Sequence, residues 1–251
     1  MDNPLDFTGK VVLVTGSSRG IGAEMIKAFG KRGAKCVVNY FTDPQGQNKA
    51  DAESVAKELK DPLKIDCDVT KPDQVEAMMK QIQNQRGGLD VLVNNSGIIR
   101  DRTIKKMTLE EFDSIIRVNL AGTFNVTQKA MLILRDGGRI INFSSVAGQV
   151  GLFGQANYAS SKAAIIALTK VSARELAKRD ITVNAVAPGF MDVGMSKAVP
   201  EENRKVFIEA TPLHRFGEAR EIVEPVLFLA SPMASYITGH VLNVNGGFYM
   251  G

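Results

Sequence analysis

An α/β fold, with one mainly parallel, doubly wound sheet of about seven strands and helices on both faces, is predicted by three observations. Seven short runs rich in valine, isoleucine and leucine are spread over the 251 residues, and longer segments of helical period separate them. The runs lack strict alternation, as expected of strands covered on both faces. The two kinds of segment alternate from end to end without a Pro/Gly/Ser-rich linker, repeat or low-complexity stretch, so residues 1–251 read as a single domain.

The elements follow in order. A first strand is expected over 11–15 and a helix over 21–32, with Gly33 where a residue of left-handed conformation closes a helix. Strand 36–40 precedes helix 47–60, and strand 63–66 precedes helix 72–86. Strand 89–94 leads to a long helix over 109–134, opened by Thr108-Leu-Glu-Glu111, a capping box. Strand 139–143, helix 158–178, strand 181–186, helix 218–230 and strand 241–244 complete the series. Sheets of this kind bind ligands beyond the carboxyl ends of their strands, so polar and glycine residues just past the runs are the candidates for chemistry.

Composition narrows the class. The net charge of +4 is scattered, without a run of five or six like charges. That pattern describes a solvated surface rather than a nucleic-acid interface, and it remains compatible with a small anionic ligand. Cys36 and Cys67 belong to no CxxC or Cys/His cluster and read as buried free thiols, so neither a disulfide nor a metal site is expected. No segment approaches 18 apolar residues, and residues 1–10 contain no apolar leader core. A cytoplasmic protein is expected, or an organellar matrix one if a transit peptide was removed.

After the first strand, Thr15-Gly-Ser-Ser-Arg-Gly-Ile-Gly22 runs straight into a helix. Its glycines allow a tight turn and close approach of a pyrophosphate, which the helix N-terminus meets with free N–H groups and a positive dipole end. The position of this loop in the β-α series makes the signal specific. The tip of the second strand reads Asn39-Tyr40, where an NAD site would place an acid for the ribose 2′-hydroxyl; the first acid is Asp43. Nothing there repels a 2′-phosphate and Arg19 is placed to pair with one, so NADP(H) is the expected cofactor. Asp68 and Val69, after the third run, are candidates for contacts to the adenine. Asn94-Asn-Ser-Gly97 ends the fourth run at the cofactor edge.

Tyr158 and Lys162 lie four apart at the start of a helix and therefore share a face. A phenol of ordinary pKa, about 10, is a poor proton donor at neutral pH. An ammonium about 4 Å away, at an effective dielectric near 20, favours the phenolate by about 4 kcal/mol. A lowered tyrosine pKa is therefore expected, which makes a general acid or base without histidine or metal. Ser145, at the end of the fifth run, is placed to hydrogen-bond a carbonyl oxygen. Asn119 is a polar residue in an otherwise apolar helix and suits a kink or a held water.

Thr15-Gly-x-x-x-Gly-x-Gly22, Asn94-Asn-Ser-Gly97, Asn119, Ser145, Tyr158-x-x-x-Lys162 and Pro188-Gly189, in that order over essentially the whole chain, resemble the short-chain dehydrogenase/reductase family. The resemblance implies a Rossmann-type sheet of seven strands, usually in a homotetramer. It implies that Tyr158 protonates the carbonyl oxygen as hydride arrives, that Lys162 binds the nicotinamide ribose and lowers the tyrosine pKa, that Ser145 positions the substrate oxygen, and that Asn119 keeps a relay water. The cofactor contacts it implies are Gly16, Ser18, Arg19, Gly20, Ile21 and Gly22 in the loop, Asn39, Tyr40, Asp68 and Val69 at the adenosine end, Asn95 and Gly97 after the fourth strand, Tyr158 and Lys162, and Pro188, Gly189 and Met191 near the carboxamide. The substrate contacts are Ser145, Gln155 and Phe190.

Gly97-Ile-Ile-Arg-Asp101, Gly154-Gln-Ala-Asn-Tyr158, 181–190 and 236–247 are similar to β-ketoacyl-acyl-carrier-protein reductases, which reduce a 3-oxoacyl thioester with NADPH and accept acyl carrier protein as partner. The chain departs from that pattern at Val193, where a cofactor-bonding threonine is usual, at Asp136, where a docking arginine is usual although Arg135 and Arg179 stand nearby, and in a long loop over 42–49. A broad ketone, sugar or hydroxysteroid reductase is the alternative, since substrate choice falls to a lid expected over 190–213. An enoyl reductase spaces its tyrosine and lysine more widely, and an inactive nucleotide-sensing scaffold generally lacks one of the two. The cofactor expectation has a direct check: initial rates with NADPH should exceed those with NADH at equal concentration, and a clear preference for NADH would reject it.

Overall fold

The computed structural model describes residues 3–193 and 201–251. Seven parallel strands form one sheet in the order β3-β2-β1-β4-β5-β6-β7. They are β1 (Val11–Val14), β2 (Lys35–Tyr40), β3 (Leu63–Asp66), β4 (Leu89–Asn94), β5 (Leu134–Phe143), β6 (Thr182–Pro188) and β7 (Val241–Val244). The direction of strand progression reverses beside β1, between β2 and β4, and this opens the crevice in which such sheets hold a ligand.

Alternate residues of each buried strand face opposite layers. Val12 and Val14 join α1 (Gly20–Gly30), α2 (Gln47–Lys57) and α9 (Ala219–Ala230) in one core cluster. Val11 and Leu13 join α3 (Pro72–Arg86), α5 (Gly122–Ala130) and α7 (Ala156–Leu176) in the other. Both cysteines are free and buried, Cys36 in the first cluster and Cys67 in the second, so the sheet itself separates them. Burial pushes each thiol up to about 12, which makes them inert packing groups at neutral pH.

The chain differs from the expected element list in three places. The helix expected over 109–134 is α4 (Leu109–Ile115), a π-helical turn (Ile116–Ala121) and α5, ending at Ala130. Leu134 then opens β5 by pairing with Leu89, while the Ile133 carbonyl accepts from Leu89 N at 3.0 Å. Tertiary pairing has thus overridden a locally helical pattern. Two helices appear within expected loops: α6 (Ala147–Val150), and α8 (Glu201–Ala210) inside the expected lid, of which 194–200 lies outside the described residues. The capping box at Thr108 forms as predicted, with Thr108 Oγ1 accepting from Glu111 N and Glu111 Oε2 accepting from Thr108 N. Among the described residues no helix is long and apolar enough to cross a membrane.

Phe29 is wholly buried and meets Phe7 edge to face, with centroids 4.9 Å apart. Truncation there leaves a cavity between α1 and the sheet. Phe29→Ala should lower the unfolding free energy by about 3–5 kcal/mol. A denaturant titration reads this as a lower midpoint at unchanged slope, and a loss under about 1 kcal/mol would contradict the packing described.

Candidate active site

The glycine loop is shaped by backbone demands. Gly16 and Gly20 adopt φ of 63° and 59°, in the region open mainly to glycine. A Cβ on Gly22 would lie 2.6 Å from Asn95 Nδ2, so a larger residue would close the turn. Arg19 stands at the N-cap of α1 without a side-chain cap bond, and the first turn contains no acid. The leading N–H groups of the helix therefore face outward with the positive end of its dipole, a site that fits a pyrophosphate. The residues present thus suit a dinucleotide.

Two asparagines hold that loop, Asn39 buried and Asn95 half-buried. Asn39 Oδ1 accepts from Gly16 N at 3.0 Å, and its Nδ2 donates to the carbonyls of Tyr40, Ile65 and Cys67. Asn39, expected to touch the cofactor, turns its side chain inward, where it fixes Gly16. Asn95 Nδ2 donates to the Thr15 and Gly16 carbonyls. Thr15 Oγ1 accepts from both Asn95 N and Ser96 N at 3.0 Å. Ser17 Oγ accepts from Asn39 N at 3.1 Å, while Ser18 is buried and Ile21 packs against the core.

Arg19 is exposed beyond the loop. The backbone N–H of Asn48 chiefly, and the Arg19 guanidinium in smaller part, hold the Asp43 carboxyl below its usual range. Arg19 therefore lies within electrostatic reach of Asp43. Tyr40 is half-buried at the tip of β2. Asp68 turns the chain into α3, one carboxylate oxygen accepting from Thr70 N at 2.9 Å, and Val69 is buried beneath it.

At the other end of the crevice, Lys162 is 4% exposed and donates from Nζ to the Phe143 carbonyl at 2.7 Å. Its Nζ lies 5.6 Å from the centroid of the Tyr158 ring. Ser144 Oγ donates to the Lys162 carbonyl at 2.8 Å, and Ser145 Oγ accepts from Ala147 N. The close fit needs Gly148, whose Cβ would lie 2.6 Å from the Lys162 carbonyl carbon. Gly97 faces the same point: a Cβ there would meet Asn119 Oδ1 at 3.3 Å and Lys162 Nζ at 3.7 Å.

The expected lowering of the tyrosine pKa is not what this geometry gives. Burial raises the Tyr158 phenol to about 12, with a hydrogen bond from Ser145 pulling it down and the Asp101 charge adding to the rise. Burial lowers Lys162 to about 8. The reason is placement: the ammonium is tied to Phe143 and lies over the ring rather than against the hydroxyl. Burial thus favours the uncharged phenol and opposes the charge on the lysine.

Asn119 lies in the π-helical turn, fully buried. Its Oδ1 accepts from Ile98 N and its Nδ2 donates to the Ile98 carbonyl and to Ser161 Oγ. The amide thus clamps the segment after β4 to α7, and the expected kink takes the form of one wide helical turn. A held water is not needed to satisfy its side chain.

Pro188 ends β6 with its carbonyl accepting from Val146 N, and Gly189 N donates to the Val244 carbonyl. Met191 is buried and bridges to Gly217. Phe190 stacks on Phe207 of α8 at 3.9 Å between centroids, and touches Phe216 and Phe248. Val193, partly buried, packs against the core. Gln155 is tied to Asp101, its Nε2 donating to Oδ2 at 3.0 Å. Arg135 pairs with Asp90 and Arg179 pairs with Asp136, and each also donates to backbone carbonyls, so both are engaged within the chain.

The sequence reading missed Thr15, Phe143, Gly148 and Asp101. A threonine ending the first strand, and a glycine three residues past Ser145, were the available signals for two of them. The others act through a main-chain carbonyl and through a neighbouring amide, which leave no side-chain pattern.

A family model described as "Enoyl-(Acyl carrier protein) reductase" matches residues 16–249. The chain is 47% identical to "3-oxoacyl-[acyl-carrier-protein] reductase FabG" of Staphylococcus aureus (strain Mu50 / ATCC 700699) over 96% of this chain and 98% of that protein. It is 44% identical to the protein of the same name from Vibrio cholerae serotype O1 over 98% and 100%, and 42% identical to that from Thermotoga maritima over 95% and 97%. Among solved structures, a doubly substituted mutant of a Serratia marcescens short-chain dehydrogenase/reductase superposes with a TM-score of 0.88 at 36% identity, covering 96% of this chain and 98% of that one. With the glycine loop at one end of the crevice and the serine, tyrosine and lysine at the other, the chain belongs to the short-chain dehydrogenase/reductase family.

Proposed function

We propose that the protein is an NADPH-dependent carbonyl reductase that converts 3-oxoacyl thioesters into 3-hydroxyacyl thioesters. The observation that carries this reading is the Tyr158 ring overlooked by Lys162, which the Phe143 carbonyl anchors, with Ser145 two residues beyond that carbonyl, at the end of the crevice that begins at the glycine loop. The names of relatives that match over nearly the whole chain support the thioester class.

The chemistry divides between ligand and protein. Reduced nicotinamide, when bound, supplies hydride to the carbonyl carbon. Gly16 to Gly22 and the α1 N-terminus would hold the pyrophosphate, and Arg19 would pair with the 2′-phosphate. Lys162 has two donors left after Phe143 for ribose hydroxyls. Ser145 Oγ donates to the substrate carbonyl oxygen, and Tyr158 Oη gives its proton to that oxygen as negative charge grows there. Lys162 stabilises the phenolate that remains. Gln155 and Phe190 border the substrate. We extend the reading to a homotetramer, supported by the exposed Leu109, Phe124 and Val171 on α4, α5 and α7.

One observation favours a second reading. Because Arg179 is neutralised by Asp136 and Arg135 by Asp90, the surface offers little free charge there to an acidic carrier protein, and coenzyme A thioesters or simple ketones are the alternative substrates. NADPH oxidation against acetoacetyl thioesters of carrier protein and coenzyme A, beside ketones, sugars and steroids, separates these. The thioesters should give the highest kcat/KM; good ketone turnover without thioester activity would favour the broad reductase. Tyr158→Phe should lower kcat by roughly a hundredfold or more while NADPH affinity, followed by fluorescence titration, stays nearly constant. Unchanged turnover would remove Tyr158 from the chemistry.

A further inference from the structure

Helix α7 carries Tyr158 in its first turn, where the backbone N–H groups have no partner within the helix. Gln155, at the N-cap, makes no side-chain cap bond. Two wholly buried polar residues inside the helix take hold of the tyrosine's main chain instead. Asn157 Oδ1 accepts from Tyr158 N at 2.7 Å, and Ser161 Oγ donates to the Tyr158 carbonyl at 2.7 Å.

Both residues pass that hold to the segment after β4. Asn157 Nδ2 donates to the Arg100 carbonyl at 3.1 Å, with a longer contact to the Glu111 carbonyl at 3.4 Å. Ser161 Oγ accepts from Asn119 Nδ2 at 3.2 Å, and that amide clasps both main-chain groups of Ile98. Arg102 N adds a bond to the Gly154 carbonyl at 2.7 Å. Ile98, Arg100 and Arg102, alternate residues of one segment, are thus all fastened to the start of α7 or to the loop before it. Helix stability does not explain the two side chains. Serine and asparagine are weak formers of a helix interior, and burying their polar atoms costs free energy unless the bonds are made.

We propose that Asn157 and Ser161 are positioning residues of the reducing site. They grip the N–H and the carbonyl of Tyr158 and refer both to residues 98–100, so the segment after β4, and not the helix alone, sets where the phenol stands. This rests on Tyr158 as the proton donor and not on the substrate being a thioester.

Full-length protein is assayed with NADPH and the carbonyl compound that the unaltered enzyme turns over best. Ser161→Ala removes one grip at nearly constant volume, and Asn157→Leu removes the other. Each should lower kcat about tenfold or more, the scale of a small misplacement of a reacting group. KM and NADPH affinity should stay within about twofold, because the lost interaction acts on the transition state alone. Placed in Tyr158→Phe, Ser161→Ala should change the residual rate by less than about twofold, since the group it positions is already gone. An unchanged kcat in Ser161→Ala overturns the idea, even if Asn157→Leu fails to fold. So does a loss in the Tyr158→Phe background as large as in the unaltered enzyme, which would mean general damage to the fold. Hydrogen exchange of the Tyr158 amide reads the grip without turnover: it should quicken about tenfold in Asn157→Leu, and an unchanged rate there removes Asn157 from the role. Normal turnover in Tyr158→Phe would instead sink the reading of the tyrosine as acid, and is told apart by that result.

Discussion

Lys162 places an ammonium where only 4% of the residue is exposed, and the Phe143 carbonyl at the end of β5 receives it. Burying a charge costs several kcal/mol unless hydrogen bonds replace the lost water. The bond between helix α7 and strand β5 is therefore a condition of the helix lying where it does. It explains why Gly148 must be small and why Ser144 turns its hydroxyl to the Lys162 carbonyl. Tyr158, one helical turn earlier, inherits its place from that anchor. Burial favours the uncharged phenol at Tyr158, and the Lys162 ammonium lies over its ring.

A chain of buried polar groups beneath the site does similar work in the sheet. Asn94 Nδ2 donates to Asn142 Oδ1 and to Thr127 Oγ1, and Asn142 Nδ2 donates to Thr169 Oγ1. Strands β4 and β5 are thus tied to α5 and α7 through side chains that an apolar core would not need. Such networks fix one arrangement among several of similar packing energy. The glycine loop relies on the same device through Asn39 and Asn95. Both ends of the crevice are held by side-chain amides.

Much of this was legible in the sequence. The strand runs gave all seven strands, with β5 beginning at Leu134 instead of residue 139, because valine- and isoleucine-rich segments in an α/β order have few other ways to bury both faces. The candidate serine, tyrosine and lysine stood out by their spacing. What stayed hidden depended on tertiary partners. Asn39 looks the same in sequence whether its amide faces a ribose or Gly16, and only the turn of β2 decides. Residues 131–134 continue a helical pattern until Leu134 meets Leu89. The effect of Lys162 on Tyr158 was misjudged because helical spacing sets which face two residues share, not where a flexible ammonium ends.

The wide turn at Asn119 has a consequence for helix phase. A π-helical turn accommodates one surplus residue, and a residue in a regular helix corresponds to about 100° of rotation. Because the turn absorbs that residue, α4 and α5 keep one phase across it, and Val126 and Ala130 stay on the core. Deleting one residue between 116 and 121 would therefore close the wide turn into regular helix, sparing the packing of α5 while withdrawing the Asn119 amide from Ile98.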